Sequence, residues 1–236
     1  MRIDKLLSEL GIATRKEAAT AARRGGITVN GVQVKDSSAH VDPSCDTVIY
    51  LGREVVYSEF IYVMLNKPEG YVSATDDKKL PYVTELLPEE LRRRDLFPVG
   101  RLDRDTVGLM ILTNNGQLAH TVLSPKHHVA KKYYFRSADP LPQGTEERFK
   151  DRIVLADGYE CKEAILELSQ ERDSGYITLT EGKYHQIKRM IASFGNKVTA
   201  LERIKFAEIL LDESLVRGQW RYLTEEETAY LESKAN

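Results

Sequence analysis

The sequence lacks most of the residues that advertise chemistry on their own. It has two cysteines, Cys45 and Cys161, far apart and without a CxxC pair. That argues against a cysteine zinc site and against a disulfide framework. Its five histidines show no HxH or HxxxH spacing, and only His127 and His128 are adjacent, so no metal is expected. No GxGxxG follows a strand-like run and no GxxxxGK[ST] occurs, which removes the dinucleotide and P-loop nucleotide folds. No run approaches the roughly 20 apolar residues of a membrane span. The opening MRIDKLLSELG is too charged for a signal peptide. A cytoplasmic protein with no membrane association is expected. No internal repeat or low-complexity segment is present.

Net charge is also scarce, at -2, but the near-neutral total hides patches. Residues 1–35 carry Arg2, Lys5, Arg15, Lys16, Arg23, Arg24 and Lys35 against Asp4, Glu9 and Glu17. Residues 120–136 carry Lys126, Lys131, Lys132 and Arg136 with no acid, whereas residues 207–236 are acidic. A polyanion feels such patches, not the total.

Hydrophobic spacing divides the chain into two parts. In residues 2–10, Ile3, Leu6, Leu7 and Leu10 share one helical face. Gly11 ends that helix. Thr14 is placed to cap a second, with Glu17 three residues on as its capping-box partner, and this helix runs to Gly25-Gly26. Val29 and Val32 flank Asn30-Gly31, a hairpin signal, and residues 46–51 read as a further strand. Residues 1–58 therefore form a unit of two helices and a small β element. In residues 59–236, strand-like runs occur at 61–65, 108–113, 132–135, 164–168 and 176–179. Helical spacing occurs at 117–123, 145–151, 184–194 and 224–233. The strands are mostly not separated by regular helices, so an α+β domain with a largely antiparallel mixed sheet is expected.

One loop is harder to place as structure alone. Residues 97–116 read FPVGRLDRDTVGLMILTNNG, with Asp103 and Asp105 set among Arg101 and Arg104 just before an apolar strand. By itself Asp103 reads as a turn residue, Tyr133 as a core tyrosine, and the basic helix as a solvated face. Read in order, however, the segments are specific. RIDKLLSELGIATRKEAATAARRGGITVNGVQV resembles an S4 RNA-binding domain. With it come YVMLNKPEGYVSATDD, PVGRLDRDTVGLMILTNNG, SPKHHVAKKYY, EGKYHQIKRM and GQWRYLTEEE. Together they resemble the pseudouridine synthases, in the branch of the small-subunit ribosomal enzyme, over nearly the whole chain.

The resemblance implies a catalytic domain over 59–236 behind an S4 domain over 1–58. It implies that Asp103 is the nucleophile, that Tyr133 is the tyrosine of the KxY motif, and that Lys188 is the basic residue after HQ-hydrophobic. Many relatives have arginine at that last position; lysine keeps the charge and loses the bidentate fork. Arg15, Lys16, Arg23 and Arg24 fall on the RNA-binding face of the S4 resemblance. Lys126, His127 and His128 read as phosphate contacts, with Lys131 and Lys132 also on the RNA side. Phosphate contacts of this kind supply affinity, not sequence choice.

The chemistry suits these residue types. Converting uridine to pseudouridine breaks the N1–C1′ bond, turns the base and joins C5 to C1′. No atom is gained or lost, so neither cofactor nor metal is required. A carboxylate can attack ribose or base, or take a proton in a glycal route. It must be ionised, and a nearby cation favours that; Lys188 is the residue expected there. Tyr133 offers a ring to stack on uracil and a phenol near C5. Arg101 is suited to filling the space a flipped base leaves, which offsets part of a cost of a few kcal/mol. Asp105 reads as a turn residue with Thr106, His185 as a structural hydrogen-bonder, Trp220 and Tyr222 as core or sheet residues, and Lys67 and Tyr71 as lining the RNA face. The expected substrate is a specific uridine of 16S ribosomal RNA in a small-subunit assembly intermediate, handled by a monomer. The alternatives are a 23S rRNA synthase of the same branch, or a non-catalytic RNA-binding assembly factor.

Overall fold

The computed structural model describes residues 1–57, 59–124 and 129–234. Contacts divide the chain into two units: Met1–Ile61 with Leu87–Leu96, and Tyr62–Leu86 with Phe97–Asn236.

In the first unit, α1 (Ile3–Glu9) and α2 (Arg15–Arg23) pack on a four-stranded sheet. The strands are β1 (Ile27–Val29), β2 (Val32–Gln33), β3 (Val48–Tyr50) and β4 (Arg53–Glu54), in the order β2-β1-β3-β4. Ile3, Leu6 and Leu7 of α1 are buried against Ala18, Ala21 and Ala22 of α2, with Ile27 and Val48 below. Alanines on one helix let the leucines of the other come close. The Thr14–Glu17 capping box forms as expected: Glu17 N–H donates to Thr14 Oγ1 at 3.2 Å, and Thr14 N–H donates to Glu17 at 2.6 Å. Asn30 makes the β1–β2 turn and also staples it, since its side chain accepts from Thr47 N–H and donates to Asp46, both at 2.8 Å. A short helix, α3 (Glu89–Arg92), completes the unit. It comes so close to the end of α1 that a Cβ at residue 11 would lie 2.2 Å from the Glu90 carbonyl oxygen, so Gly11 is required there.

The second unit is built on a nine-stranded sheet among the described residues. Its strands are β5 (Tyr62–Lys67), β6 (Phe97–Pro98), β7 (Val107–Thr113), β8 (Lys131–Ser137), β9 (Ile165–Leu168), β10 (Ser174–Leu179), β11 (Val198–Phe206), β12 (Ile209–Leu210) and β13 (Trp220–Tyr222). The main path runs β13-β5-β7-β11-β8-β10-β9, with β12 on β11 and β6 on β7. Only the β7–β11 pair is parallel among these. The largely antiparallel mixed sheet expected from the sequence is what forms.

The helices of this unit are α4 (Gly116–Leu123), α5 (Thr145–Lys150), α6 (Gln186–Ala192) and α7 (Glu225–Ser233). Met64, Leu109 and Ile111 of the sheet share one core with Leu118 and Val122 of α4 and Leu231 of α7. The helical spacing over 184–194 gives a shorter helix because His185 takes a left-handed conformation, with φ 50°. The strand β11 is not foreseen by the sequence reading: charged Glu202, Arg203 and Lys205 interrupt its alternation. It is the strand that brings β7 and β8 together. The parallel pairing is tight. A Cβ at residue 108, where φ is +98°, would lie 2.3 Å from the Arg203 carbonyl oxygen.

Among the described residues, no helix is long and apolar enough to cross a membrane, and no group of three or more His, Cys, Asp or Glu could hold a metal ion.

Candidate active site

Asp103 lies on the loop joining β6 to β7, and the loop is held by its backbone. Lys67, at the end of β5, is fully buried. Its ammonium donates to the carbonyls of Thr106 at 2.8 Å, Asp103 at 3.1 Å and Pro68 at 3.2 Å. Burial pushes the lysine down to about 8, against the opposing charges of Asp105 and Asp103. On the other flank, Ser73 Oγ donates to the Leu102 carbonyl at 2.7 Å and accepts from the Leu102 N–H at 2.9 Å. Gly70 N–H donates to the Arg104 carbonyl at 2.9 Å, and the Arg104 guanidinium donates back to the Gly70 carbonyl at 3.2 Å. Expected on the RNA face, Lys67 is instead the internal anchor of this loop. Burying six successive residues of β5 leaves its last side chain no route to water.

The Asp103 side chain opens into a cleft of about 800 Å³, lined among others by Arg101, Lys131, Tyr133, His185, Lys188 and Arg203. That volume suits a nucleoside-sized ligand. Lys188, on α6, stands 3.2 Å from Asp103 Oδ2 and 2.5 Å from Asp105 Oδ1. It therefore bridges both carboxylates, where the sequence reading paired it with Asp103 alone. Burial opposes ionisation of Asp105, but the hydrogen bond and charge of Lys188 outweigh it and hold the carboxyl below its usual range. Conversely, burial of Lys188 is outweighed by Asp105 and Asp103, so its ammonium is held above its usual range. His185 Nε2 lies 3.6 Å from Asp103 Oδ1, and its ring stacks on Tyr184 at 3.8 Å.

The position of α6 is set by a buried polar cluster. Glu181 accepts from Gln186 Nε2 at 2.5 Å, from Lys162 N–H at 2.8 Å and from the Tyr159 hydroxyl at 2.8 Å. Gln186 accepts in turn from Lys183 N–H at 2.9 Å. All donors and acceptors here are matched, which makes the start of α6 rigid.

The floor of the cleft is one face of the sheet. Side chains alternate along a strand, so Lys131 and Tyr133 of β8 share this face, and Tyr133 lies directly across from Arg203 of β11. Lys132 is on the opposite face. It pairs with Glu167 at 2.5 Å and covers the Tyr176 ring at 4.8 Å, so the structure does not bring it to the cleft. Tyr134 also faces that way, edge-on to Tyr176. Arg101 is exposed at the cleft. Arg15, Lys16, Arg23 and Arg24 are exposed on the first unit, on and just after α2. Lys126, His127 and His128 lie outside the described residues. Trp220 and Tyr222 form the edge strand β13, with Tyr222 exposed.

Arg203 and Ser73 are cleft residues that the sequence reading missed. The signal for Arg203 was its period-2 relation to apolar Leu201 within a run that also carries charges. Nothing local marks Ser73, whose partner is 29 residues away.

A family model described as RNA pseudouridylate synthase matches residues 61–193, and an S4 domain model matches residues 1–48. The chain is 43% identical to an uncharacterized RNA pseudouridine synthase, YtzG, of Bacillus subtilis, covering 96% of each. It is 41% identical to ribosomal small subunit pseudouridine synthase A of Vibrio cholerae, covering 97% of this chain and 98% of that one. A crystal structure of a pseudouridylate synthase superimposes with a TM-score of 0.70 at 37% identity, covering 98% of this chain and 99% of the other. The chain belongs to the RNA pseudouridylate synthase family, isomerases that act on RNA, and carries an S4 RNA-binding domain at its N-terminus.

Proposed function

We propose that this protein converts a specific uridine of 16S ribosomal RNA to pseudouridine during small-subunit assembly, as a cytoplasmic monomer and without a cofactor. The observation that carries this reading is the placement of Asp103: its carbonyl is held by Lys67 and that of its neighbour Leu102 by Ser73, and its carboxylate stands 3.2 Å from the Lys188 ammonium in a cleft that also holds Tyr133. The names of relatives such as the Vibrio cholerae small-subunit enzyme favour 16S over 23S RNA. In this reading Asp103 is the nucleophile or base at the ribose–base bond, with Lys188 beside it at 3.2 Å as its counter-ion. Tyr133 stacks on the flipped uracil and exchanges the proton at C5. Arg101 fills the vacated stack. Residues 1–58 dock the RNA through Arg15, Lys16, Arg23 and Arg24, Lys126, His127 and His128 contact phosphate, and Lys131 meets the RNA from the floor of the cleft.

Tritium release from 16S rRNA labelled at uridine C5 tests this directly, because C5 exchanges its hydrogen for C1′. Wild type should release tritium and Asp103→Asn should not, while RNA affinity stays within a few fold. Release from 23S but not 16S rRNA would move the substrate. Equal release by the variant would remove Asp103 from the chemistry.

A further inference from the structure

Two buried side-chain polar atoms among the described residues have no hydrogen-bond partner, Thr106 Oγ1 and Arg203 Nη2, and both residues line the cleft beside Asp103. Native proteins rarely leave such groups unmatched, because a buried donor without an acceptor loses its water for nothing in return. Arg203 is the more informative. Its side chain is 2% exposed, and its Nε donates to the Leu109 carbonyl at 2.7 Å. Among the described residues the guanidinium has that hydrogen bond and the Phe206 ring at 5.4 Å, and its Nη2 has no partner.

A second cation shares this floor. Lys131 is half-buried, donates to the Val129 carbonyl at 3.0 Å, and lies over the same Phe206 ring at 5.8 Å. Burial and the Arg203 charge together push its ammonium down to about 8. Neither residue takes part in an ion pair among the described residues, whereas Lys188 beside them pairs with both Asp103 and Asp105. Two neighbouring cations, one fully buried, at the bottom of a cleft and paired with no carboxylate among the described residues describe a site that negative charge completes.

We infer that Arg203 and Lys131 form an acceptor site for a carbonyl oxygen of the flipped uracil and hold the charge the base acquires during the reaction. This inference rests on the reading of Asp103 given above. When the N1–C1′ bond breaks, the bonding pair leaves with the base. Uracil becomes an anion with its charge shared between N1 and the carbonyl oxygens, and C1′ is satisfied by the Asp103 carboxylate or by loss of its neighbour's proton. The base turns and C5 bonds to C1′ as the Asp103 carboxylate leaves that carbon or, in the other route, as the neighbouring carbon regains its proton; the C5 proton then leaves and N1 gains a proton, so the balance closes without oxidant or reductant. Donors placed where that transient charge develops act only on the transition state and intermediate. The surroundings favour the base over a backbone phosphate. Leu179 and Leu201 line the same floor, and Tyr133 lies across from Arg203, a slot for a flat, neutral ring.

The test uses single-turnover rates on the RNA that wild type converts, with the target as uridine, 2-thiouridine or 4-thiouridine. Sulfur is a poor acceptor, and any intrinsic effect on the base is common to all enzymes and cancels in their ratio. Arg203→Lys keeps the charge and loses the fork. It should slow uridine about 10²–10³-fold, the loss typical of one removed oxyanion donor. The penalty for one of the two thio positions, present in wild type, should largely vanish in the variant. Lys131→Met covers the case where position 203 tolerates no change. It should slow turnover at least tenfold while Tm holds or rises, because an uncompensated charge has been removed; a merely structural lysine would lower Tm. Equal thio penalties in wild type and variant, or full activity of Lys131→Met, overturn the inference. So does a variant-dependent penalty from a phosphorothioate flanking the target, which would assign the site to phosphate. Activity that survives Asp103→Asn removes this inference together with the reading beneath it, whereas loss there with silent Arg203 and Lys131 variants removes this inference alone.

Discussion

Replacing Lys67 by methionine separates the scaffold of the site from its chemistry. The native ammonium serves the carbonyls of Thr106, Asp103 and Pro68 at 2.8, 3.1 and 3.2 Å, and that of Arg104 at 3.4 Å. A hydrogen bond to a charged group contributes about 1.5–3 kcal/mol, but one ammonium supplies them all and the contributions do not add. Against them stands the cost of burying the charge. The fall from 10.5 to about 8 corresponds to roughly 3 kcal/mol at neutral pH. The two largely offset, and we expect a net loss of about 1–2 kcal/mol, a drop in Tm of roughly 3–6 °C for a chain of this size. The effect on turnover should be much larger. The loop carrying Asp103 loses its internal anchor, and a displacement near 1 Å at a reacting group costs about 10²-fold. Tritium release should therefore fall about 10²-fold in kcat with KM and RNA affinity within a few fold, and Lys67→Arg should not rescue it, because the buried slot admits no larger fork. A variant that unfolds earlier but keeps kcat within twofold would refute the claim that Lys67 positions Asp103.

Other predictions follow from the same contacts. Asp105→Asn leaves Lys188 to Asp103 alone and should lower kcat by no more than about tenfold, a lost salt-bridge partner being worth about 1 kcal/mol at a part-exposed site; complete inactivation would make Asp105 a reacting group. Gly108→Ala should destabilise by about 3 kcal/mol or more in urea, since its Cβ meets the Arg203 carbonyl at 2.3 Å and φ is +98°; a smaller loss would mean that β7 and β11 separate easily. Replacing Arg15, Lys16, Arg23 and Arg24 by alanine should lower the slope of log affinity against log salt by about 3, at roughly 0.7–0.9 per phosphate contact, and an unchanged slope in filter binding would remove α2 from the RNA interface. Lys131 titrates lower when folded, about 8 against 10.5. Between those values the unfolded chain binds more protons, so its contribution to stability rises with pH and is lost as pH falls through 8. The stability advantage expected for Lys131→Met should accordingly shrink from pH 8 to pH 10, and a constant difference would show that the lysine is not buried in solution.

Elements whose signals are local were legible in the residues. The capping box of Thr14 and Glu17, the Asn30-Gly31 turn, the apolar face of α1 and the strand after Asp105 each depend on neighbours within one turn or one hairpin. The order of polar segments marked the family and put Asp103, Tyr133 and Lys188 forward together. Their spatial meeting was another matter. Lys132 and Lys131 are equivalent in a basic run, and only the pleat of β8 sends one into the cleft and the other to Glu167. Lys67 reads as an exposed turn lysine until the burial of all of β5 turns it inward. Arg203 went unmarked in the sequence, and only β7 and β8 flanking β11 exclude water from it. Sequence by itself determined the elements whose signals are local, because hydrogen bonds and propensities within a turn or hairpin settle those; β11, whose charges interrupt its alternation, was not among them. Tertiary structure alone decided which charges are buried, since exclusion of water depends on strands far apart in the chain, and in this protein the buried charges are the ones that set the site.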